Sequence, residues 1–209
     1  MISGKGYNMK IVLATGNKNK IKEIKEKFSS SGTLEISSFE ELKNIPEIIE
    51  NAATFEGNAL IKAEAVCRLT GLPSMADDSG LVIDALNGEP GVYSARYGGD
   101  NLSDTEKNEL VLSKMKGLPE KKRSARFECV IAIALPDSRS FTVKGICTGL
   151  ISNEPAGENG FGYDPIFYIP EAGRTMAQLT PEEKNRISHR GKALEKAFEM
   201  IKKISGDLQ

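Results

Sequence analysis

The chain is short of several things, and each shortage excludes a class of protein. A single histidine, His189, serves all 209 residues. A zinc hydrolase built on several histidines is therefore excluded, and any Ser-His-Asp triad would have to use that one residue. Three cysteines, Cys67, Cys129 and Cys147, are odd in number and widely spaced, with no CxxC pair. Neither a disulfide framework nor a structural zinc site fits them, and they point to a reducing, cytoplasmic setting. No apolar run approaches the ~18 residues of a membrane-crossing helix. Residues 1–8 carry one lysine and no apolar stretch, so they do not read as a signal peptide. Charge of one sign is missing too. Lys plus Arg number 28 against 29 Asp plus Glu, a net charge of −1. That balance speaks against a nucleic-acid coat or an acidic tail protein and leaves room for a local basic pocket. No nucleic-acid or membrane partner is expected.

What is present has ordinary globular composition, with 39% hydrophobic and 27% charged residues. A chain of this length buries a sizeable core without help from disulfides or metals. Residues 1–8 read as a short disordered leader and residues 9–209 as a single domain. The apolar run Lys10–Thr15 reads as a buried strand. Ile21, Ile24 and Phe28 then share one face of a helix. Leu34–Ser38 reads as a second strand. Thr54–Leu69 reads as a helix stopped by Gly71 and Pro73, and Leu81–Asp84 as a strand. Ser103 and Glu106 form a capping box for a helix to about Lys116. Arg126–Leu135 and Ser140–Leu150 are long strand candidates joined by a turn at Pro136–Ser138. One last helix is expected, capped by Thr180, Pro181 and Glu183. Ile187, Gly191, Leu194, Phe198 and Ile201 would form its inner stripe. This order of elements predicts an α/β protein with a mixed sheet.

Four segments suit chemistry. Thr15-Gly16-Asn17-Lys18-Asn19-Lys20 joins a strand to a helix, and helix-start N–H groups with lysines suit phosphate oxygens. It has neither the Walker nor the GxGxxG spacing, and an ordinary turn with solvated lysines is the plainer account. In Met75-Ala76-Asp77-Asp78-Ser79-Gly80, adjacent carboxylates repel unless a cation holds them or one stays protonated. A hard metal with phosphate oxygens would settle them, with Glu50 or Glu47 as a further ligand. The same residues also make good turn composition. In Gly157–Asp164, glycines let backbone approach a flat ligand, and Phe161 or Tyr163 could stack on it; alternatively the aromatics anchor the loop to the core. Lys184 with Ser188-His189-Arg190 supplies donors on the last helix, where a lone histidine is more often structural. A metal, if present, must use mainly carboxylates, which favours Mg²⁺ or Mn²⁺. Together the four describe a site for a phosphorylated aromatic ligand, a nucleotide.

The set as a whole resembles the inosine triphosphate pyrophosphatase family. The resemblance is carried by Thr15-Gly16-Asn17-x-x-Lys20, Thr54-Phe55-x-x-Asn58-Ala59 with Lys62, and Ala76-Asp77-Asp78-Ser79-Gly80. It continues through Pro90-Gly91-x-Tyr93-Ser94-Ala95-Arg96, Gly160-Phe161-Gly162-Tyr163-Asp164 and Glu183-Lys184-x-x-x-Ser188-His189-Arg190. It runs from about Lys10 to Ala197 and implies an elongated mixed sheet flanked by helices, two lobes with a central cleft, and a homodimer. The implied reaction is Mg²⁺-dependent hydrolysis of dITP, ITP or XTP to the monophosphate and pyrophosphate, with Mn²⁺ as an alternative metal. In that scheme Asp78 is the general base, assisted by Asp77, and Glu50 and Asp78 hold the metal. The Thr15–Asn17 backbone (with Gly16), Lys20 and Lys62 would meet the phosphates. His189 and Arg190 would read the oxo edge of the base, with Phe161 stacking and Asp164 helping to position it. Lys18, Asn19, Ser79, Gly162, Tyr163 and Lys184 complete the implied substrate-binding residues. Other readings are a pyrophosphatase for modified pyrimidine nucleotides, as in the septum-formation inhibitor family, which lacks the Ser-His-Arg ending; a non-catalytic nucleotide sensor; and a phosphatase or kinase.

Overall fold

The structure, a computed structural model, describes residues 9–29, 34–38, 46 and 48–207. The expected leader at residues 1–8 and the candidate ligand Glu47 lie outside the described residues.

The elements in chain order are β1 (Met9–Leu13), α1 (Lys18–Ser29), β2 (Leu34–Ser38), α2 (Phe55–Thr70), β3 (Ser74–Ile83) and α3 (Asp104–Lys114). They continue with β4 (Ser124–Ala134), β5 (Ser140–Ile151), β6 (Phe167–Ile169), β7 (Arg174–Thr175), α4 (Pro181–Ile187) and α5 (His189–Asp207). Among the described residues the strands pair in the order β2-β1-β3-β4-β5-β6-β7. β1 runs parallel to β2 and β3, whereas β6 runs antiparallel to β5 and β7. The sheet is mixed, as its sequence predicts. Parallel strands need a helical crossover, and α1 and α2 supply it.

Two compact units make up the chain. The first gathers residues 1–78, 130–144 and 193–209, and the second gathers 79–129 and 145–192. In the first, Ile11, Val12 and Leu13 of β1 are buried with Ala59, Ala63 and Val66 of α2. Phe28 of α1 meets Phe198 of α5 at 5.7 Å between ring centroids. In the second, Leu81, Ile83, Val111, Met115, Phe127, Phe167 and Met176 form one apolar core. Arg123 ties that core's periphery, donating to the carbonyls of Met115, Ile151 and Ser152.

Three expectations change. The segment Met75–Gly80 is not a turn ahead of a strand but part of β3 itself, and most of it is buried. Turn-forming side chains are overridden there by the strand's place between β1 and β4 in the sheet. The last helix is two helices: Ser188 is extended (φ −67°, ψ 159°), ends α4, and accepts the Gly191 N–H on its own hydroxyl at 3.0 Å. Gly191 permits the sharp join, because a Cβ there would run into the Asn185 carbonyl. Accordingly Ala193, Leu194, Ala197, Ile201 and Ile204 form the buried stripe of α5, and Phe198 is only half-buried. Strands β6 and β7, of three and two residues, were not foreseen.

Candidate active site

The first unit gathers lysines and carboxylates. Thr54 caps α2 by accepting the Gly57 N–H at 3.1 Å. One turn on, Asn58 Oδ1 accepts the Ala52 N–H at 2.9 Å, and this tethers the segment carrying Glu50 to the helix. Lys62, a turn beyond Asn58, reaches Glu50 Oε2 at 2.7 Å and Asp78 Oδ1 at 3.3 Å. Lys20, in the first turn of α1, meets Asp77 Oδ2 at 3.1 Å. Successive strand residues face opposite ways, and each of the adjacent carboxylates has its own lysine. Asp77 is 1% exposed and Asp78 8%, so neither charge would be tolerated unpaired.

Burial pushes the Asp78 carboxyl above the ordinary aspartate value, against the pull of the Lys62 and Lys20 charges, and Glu50 pushes the same way. Burial would pull Lys62 down, but Asp78, Asp77 and Glu50 together hold it above the ordinary lysine value. A buried carboxyl with a raised pKa and a fixed cationic partner is what a general base requires.

The loop before α1 differs from expectation. Asn17 is the cap of α1, and its Oδ1 accepts the N–H groups of Asn19 at 3.0 Å and Lys20 at 3.2 Å. Thr15 Oγ1 accepts the Asn17 N–H at 3.2 Å. Three backbone donors expected to face phosphate are thus engaged within the loop, because an exposed helix start must satisfy its own N–H groups. What the segment offers an anion is the side chains of Lys18, Asn19 and Lys20 around Thr15 and Gly16.

The carboxylates also fit a hard divalent cation. Glu50 and Asp78 converge on Lys62, and Asp78 Oδ2 is buried with no hydrogen-bond partner among the described residues. Among the described residues no group of three or more His, Cys, Asp or Glu forms a cage. Two carboxylates completed by substrate and water oxygens are the usual protein share of a Mg²⁺ site.

The second unit gathers an aromatic ring and three donors. Asp164, 3% exposed, accepts the Phe161 N–H at 2.9 Å and the Lys184 ammonium at 2.8 Å on the same oxygen, Oδ2. Gly160 (φ +79°) makes room, since a Cβ there would strike that carboxylate. Lys184 Nζ lies 4.6 Å from the Phe161 ring centroid, and the Arg190 guanidinium lies 5.5 Å from it. Both are within cation–π range. Arg190 Nη2 also donates to Ser79 Oγ at 2.9 Å. His189 opens α5 and stacks on Phe127 at 4.6 Å and 16°.

Tyr163 is placed differently from the stacking role. It is 5% exposed within the apolar core, and its hydroxyl donates to the Ser94 carbonyl at 2.9 Å. Ser94 in turn accepts the Leu81 N–H at 2.9 Å and donates to the Gly91 carbonyl at 2.6 Å. The Pro90–Arg96 motif is therefore a brace that fixes the aromatic loop, a role its sequence gave no sign of. Asn58 likewise carried no expected task, although its place four residues after the Thr54 cap put it on the face of α2 nearest the preceding segment.

A model of the Ham1 family matches residues 11–200. The chain is 50% identical over 196 residues to a dITP/XTP pyrophosphatase of Desulforamulus reducens, covering 94% of this chain and 97% of that protein. It is 47% identical over 190 residues to a dITP/XTP pyrophosphatase of Bacillus subtilis, covering 91% and 96%. Among solved structures, a HAM1 protein from Coxiella burnetii superposes with a TM-score of 0.86 at 44% identity, covering 93% of this chain and 99% of that one. The Ham1 protein of Staphylococcus aureus gives 0.84 at 42% identity, covering 92% and 98%.

Proposed function

This chain belongs to the Ham1 family, and we propose that it hydrolyses the non-standard purine nucleoside triphosphates dITP, ITP and XTP to the monophosphate and pyrophosphate. The observation that carries the reading is the bridge from the half-buried Glu50 through Lys62 to the buried Asp78. It supplies a basic carboxylate and a fixed ammonium within one rigid cluster. Relatives about half identical along nearly the whole chain are dITP/XTP pyrophosphatases, which supports the same choice.

Hydrolysis at the α-phosphorus needs a water made nucleophilic and a highly charged leaving group stabilised. Asp78 accepts the proton of that water, and Lys62 holds the carboxylate in place. Lys20, oriented by Asp77, and Lys18 neutralise charge gathering on the departing pyrophosphate, as positioned cations do in phosphoryl transfer. Glu50 and Asp78 would hold Mg²⁺, or Mn²⁺, through their carboxylate oxygens. Such an ion, when bound, supplies charge stabilisation at the phosphate oxygens.

Base reading falls to the second unit. Phe161 presents its ring for the purine, with Lys184 and Arg190 over it at cation–π distance and Asp164 fixing its backbone. Hypoxanthine and xanthine bear a 6-oxo acceptor where adenine bears a 6-amino donor. Donors from Arg190 and His189 suit the former and leave donor facing donor with the latter. A mismatch of that kind discriminates by up to ~10⁴–10⁵ in favourable sites. The proposal includes a homodimer working in the cytoplasm, and the setting is in keeping with three buried cysteines that make no disulfide.

The test is product analysis by phosphorus NMR, with Mg²⁺ and ITP, XTP, GTP or ATP in separate incubations. Pyrophosphate with IMP or XMP, and ATP nearly untouched, is the expected result. Orthophosphate with a diphosphate would overturn the reading in favour of a phosphatase. Tight ITP binding without product would indicate a sensor.

A further inference from the structure

The aromatic glycine loop is gripped by an element that the reaction scheme leaves unused. Gly162 stands at φ +62°, a left-handed conformation that glycine adopts without strain. Both of its backbone polar groups are taken by α3. Its N–H donates to Asp104 Oδ2 at 2.7 Å, and its carbonyl accepts from Asn108 Nδ2 at 3.0 Å. Asp104 and Asn108 are four residues apart and share one helix face.

The grip is itself fixed. Asp104 Oδ1 pairs with Lys107 Nζ at 3.3 Å. The reciprocal Ser103–Glu106 capping box sets where α3 begins. Asn108 is 5% exposed, so its amide cannot turn away to water. Three successive loop residues are therefore held, one from within the loop and two by other parts of the chain. Phe161 is held by Asp164, Gly162 by α3, and Tyr163 by Ser94.

We propose that Asp104 and Asn108 are positioning residues for base recognition. By fixing the peptide that follows Phe161, they set the plane of the ring on which the purine stacks, and they touch no substrate themselves. This rests on the reading of Phe161 as the base platform. The chemistry of the two contacts differs. An amide oxygen can replace the carboxylate as acceptor for the Gly162 N–H, so Asp104→Asn keeps that bond and Asp104→Ala loses it. Only a donor serves the Gly162 carbonyl, so Asn108→Asp sets a carboxylate against it.

The experiment measures KM and kcat for ITP, the ITP-to-ATP ratio of kcat/KM, competitive inhibition by inorganic triphosphate, and Tm. It compares the full-length chain with Asp104→Ala, Asp104→Asn and Asn108→Asp. Asp104→Ala and Asn108→Asp are expected to raise the KM for ITP about tenfold, the scale of one lost charge-assisted or buried hydrogen bond. They should also narrow the ITP-to-ATP ratio, with kcat changed less. Inorganic triphosphate, which has no base, should inhibit them as it inhibits the parent, and Asp104→Asn should restore most of the KM. A fall in Tm with KM and ratio unchanged would overturn the proposal, because the contacts would then serve only the fold. So would a parallel loss of triphosphate inhibition, which would mark general damage. If the unsubstituted chain leaves ITP intact, the proposed activity falls and this inference with it. If that chain hydrolyses ITP and both variants match it, this inference alone falls.

Discussion

Arg190 donates from Nη2 to the Ser79 hydroxyl at 2.9 Å, and Ser79 follows Asp78 directly in β3. One guanidinium thus lies beside the Phe161 ring and is also bonded to the residue next to the proposed base.

Arg190→Ala is therefore expected to act twice. The ITP-to-ATP preference should narrow by about tenfold or more, the scale of a charged hydrogen bond, and kcat for ITP should fall as the bond from Arg190 to Ser79 is lost. Steady-state kinetics on the two nucleotides checks this. An unchanged ratio would contradict base reading by this residue.

Asp78→Asn keeps the size of the side chain and removes its basicity. Turnover should drop by ~10²–10⁴, the usual share of a general base, while Tm changes little, because burial already penalises the Asp78 charge and Glu50 still pairs with Lys62. Near-parental turnover would remove Asp78 from the mechanism.

Tyr163→Phe separates anchoring from stacking. The Ser94 carbonyl would lose its donor, which costs about 1–3 kcal/mol when the group stays buried. The KM for ITP should change little, because the ring that stacks in this account is Phe161. Thermal unfolding and kinetics together decide. A large KM increase at unchanged Tm would return Tyr163 to the binding surface.

Two capping boxes give the fold an acid-labile component. Hydrogen bonds from the Ser103 side chain and backbone hold the Glu106 carboxyl below its ordinary value of 4.5. Arg174, and then the Thr180 N–H, do the same for Glu183. A carboxylate whose folded pKa is depressed stabilises the fold fully above its unfolded pKa and loses that contribution as pH falls through the folded value. Tm should therefore decline below pH ~4.5 more steeply in the parent than in Glu106→Gln/Glu183→Gln. Parallel profiles would show that neither box matters to acid stability.

Much of this fold could be read from local pattern. The Ile11–Leu13 run, the helix that begins at Thr54 and the two capping boxes are chemical signals contained in a few residues, and each stands where it was expected. Other features escaped because their causes are not local. Asp77-Asp78-Ser79-Gly80 has turn composition, and only its place within a paired strand makes it β3. The apolar spacing of Ile187, Gly191 and Leu194 runs smoothly through Ser188, so nothing in it marks the break between α4 and α5. The lysine–carboxylate pairs lie 57 residues apart for Lys20 and Asp77 and 16 for Lys62 and Asp78, and no periodicity announces them. Asn17 could have been read as a helix cap, and its suitability for phosphate hid that simpler role.

Where water attacks is the centre of the account. Hydrolysis of ITP in ¹⁸O-labelled water, followed by mass spectrometry of both products, reads it directly. The account predicts one labelled oxygen in IMP and none in pyrophosphate, because the water proposed to be activated by Asp78 joins the α-phosphorus. Label in the pyrophosphate would place the attack on the β-phosphorus and contradict the mechanism.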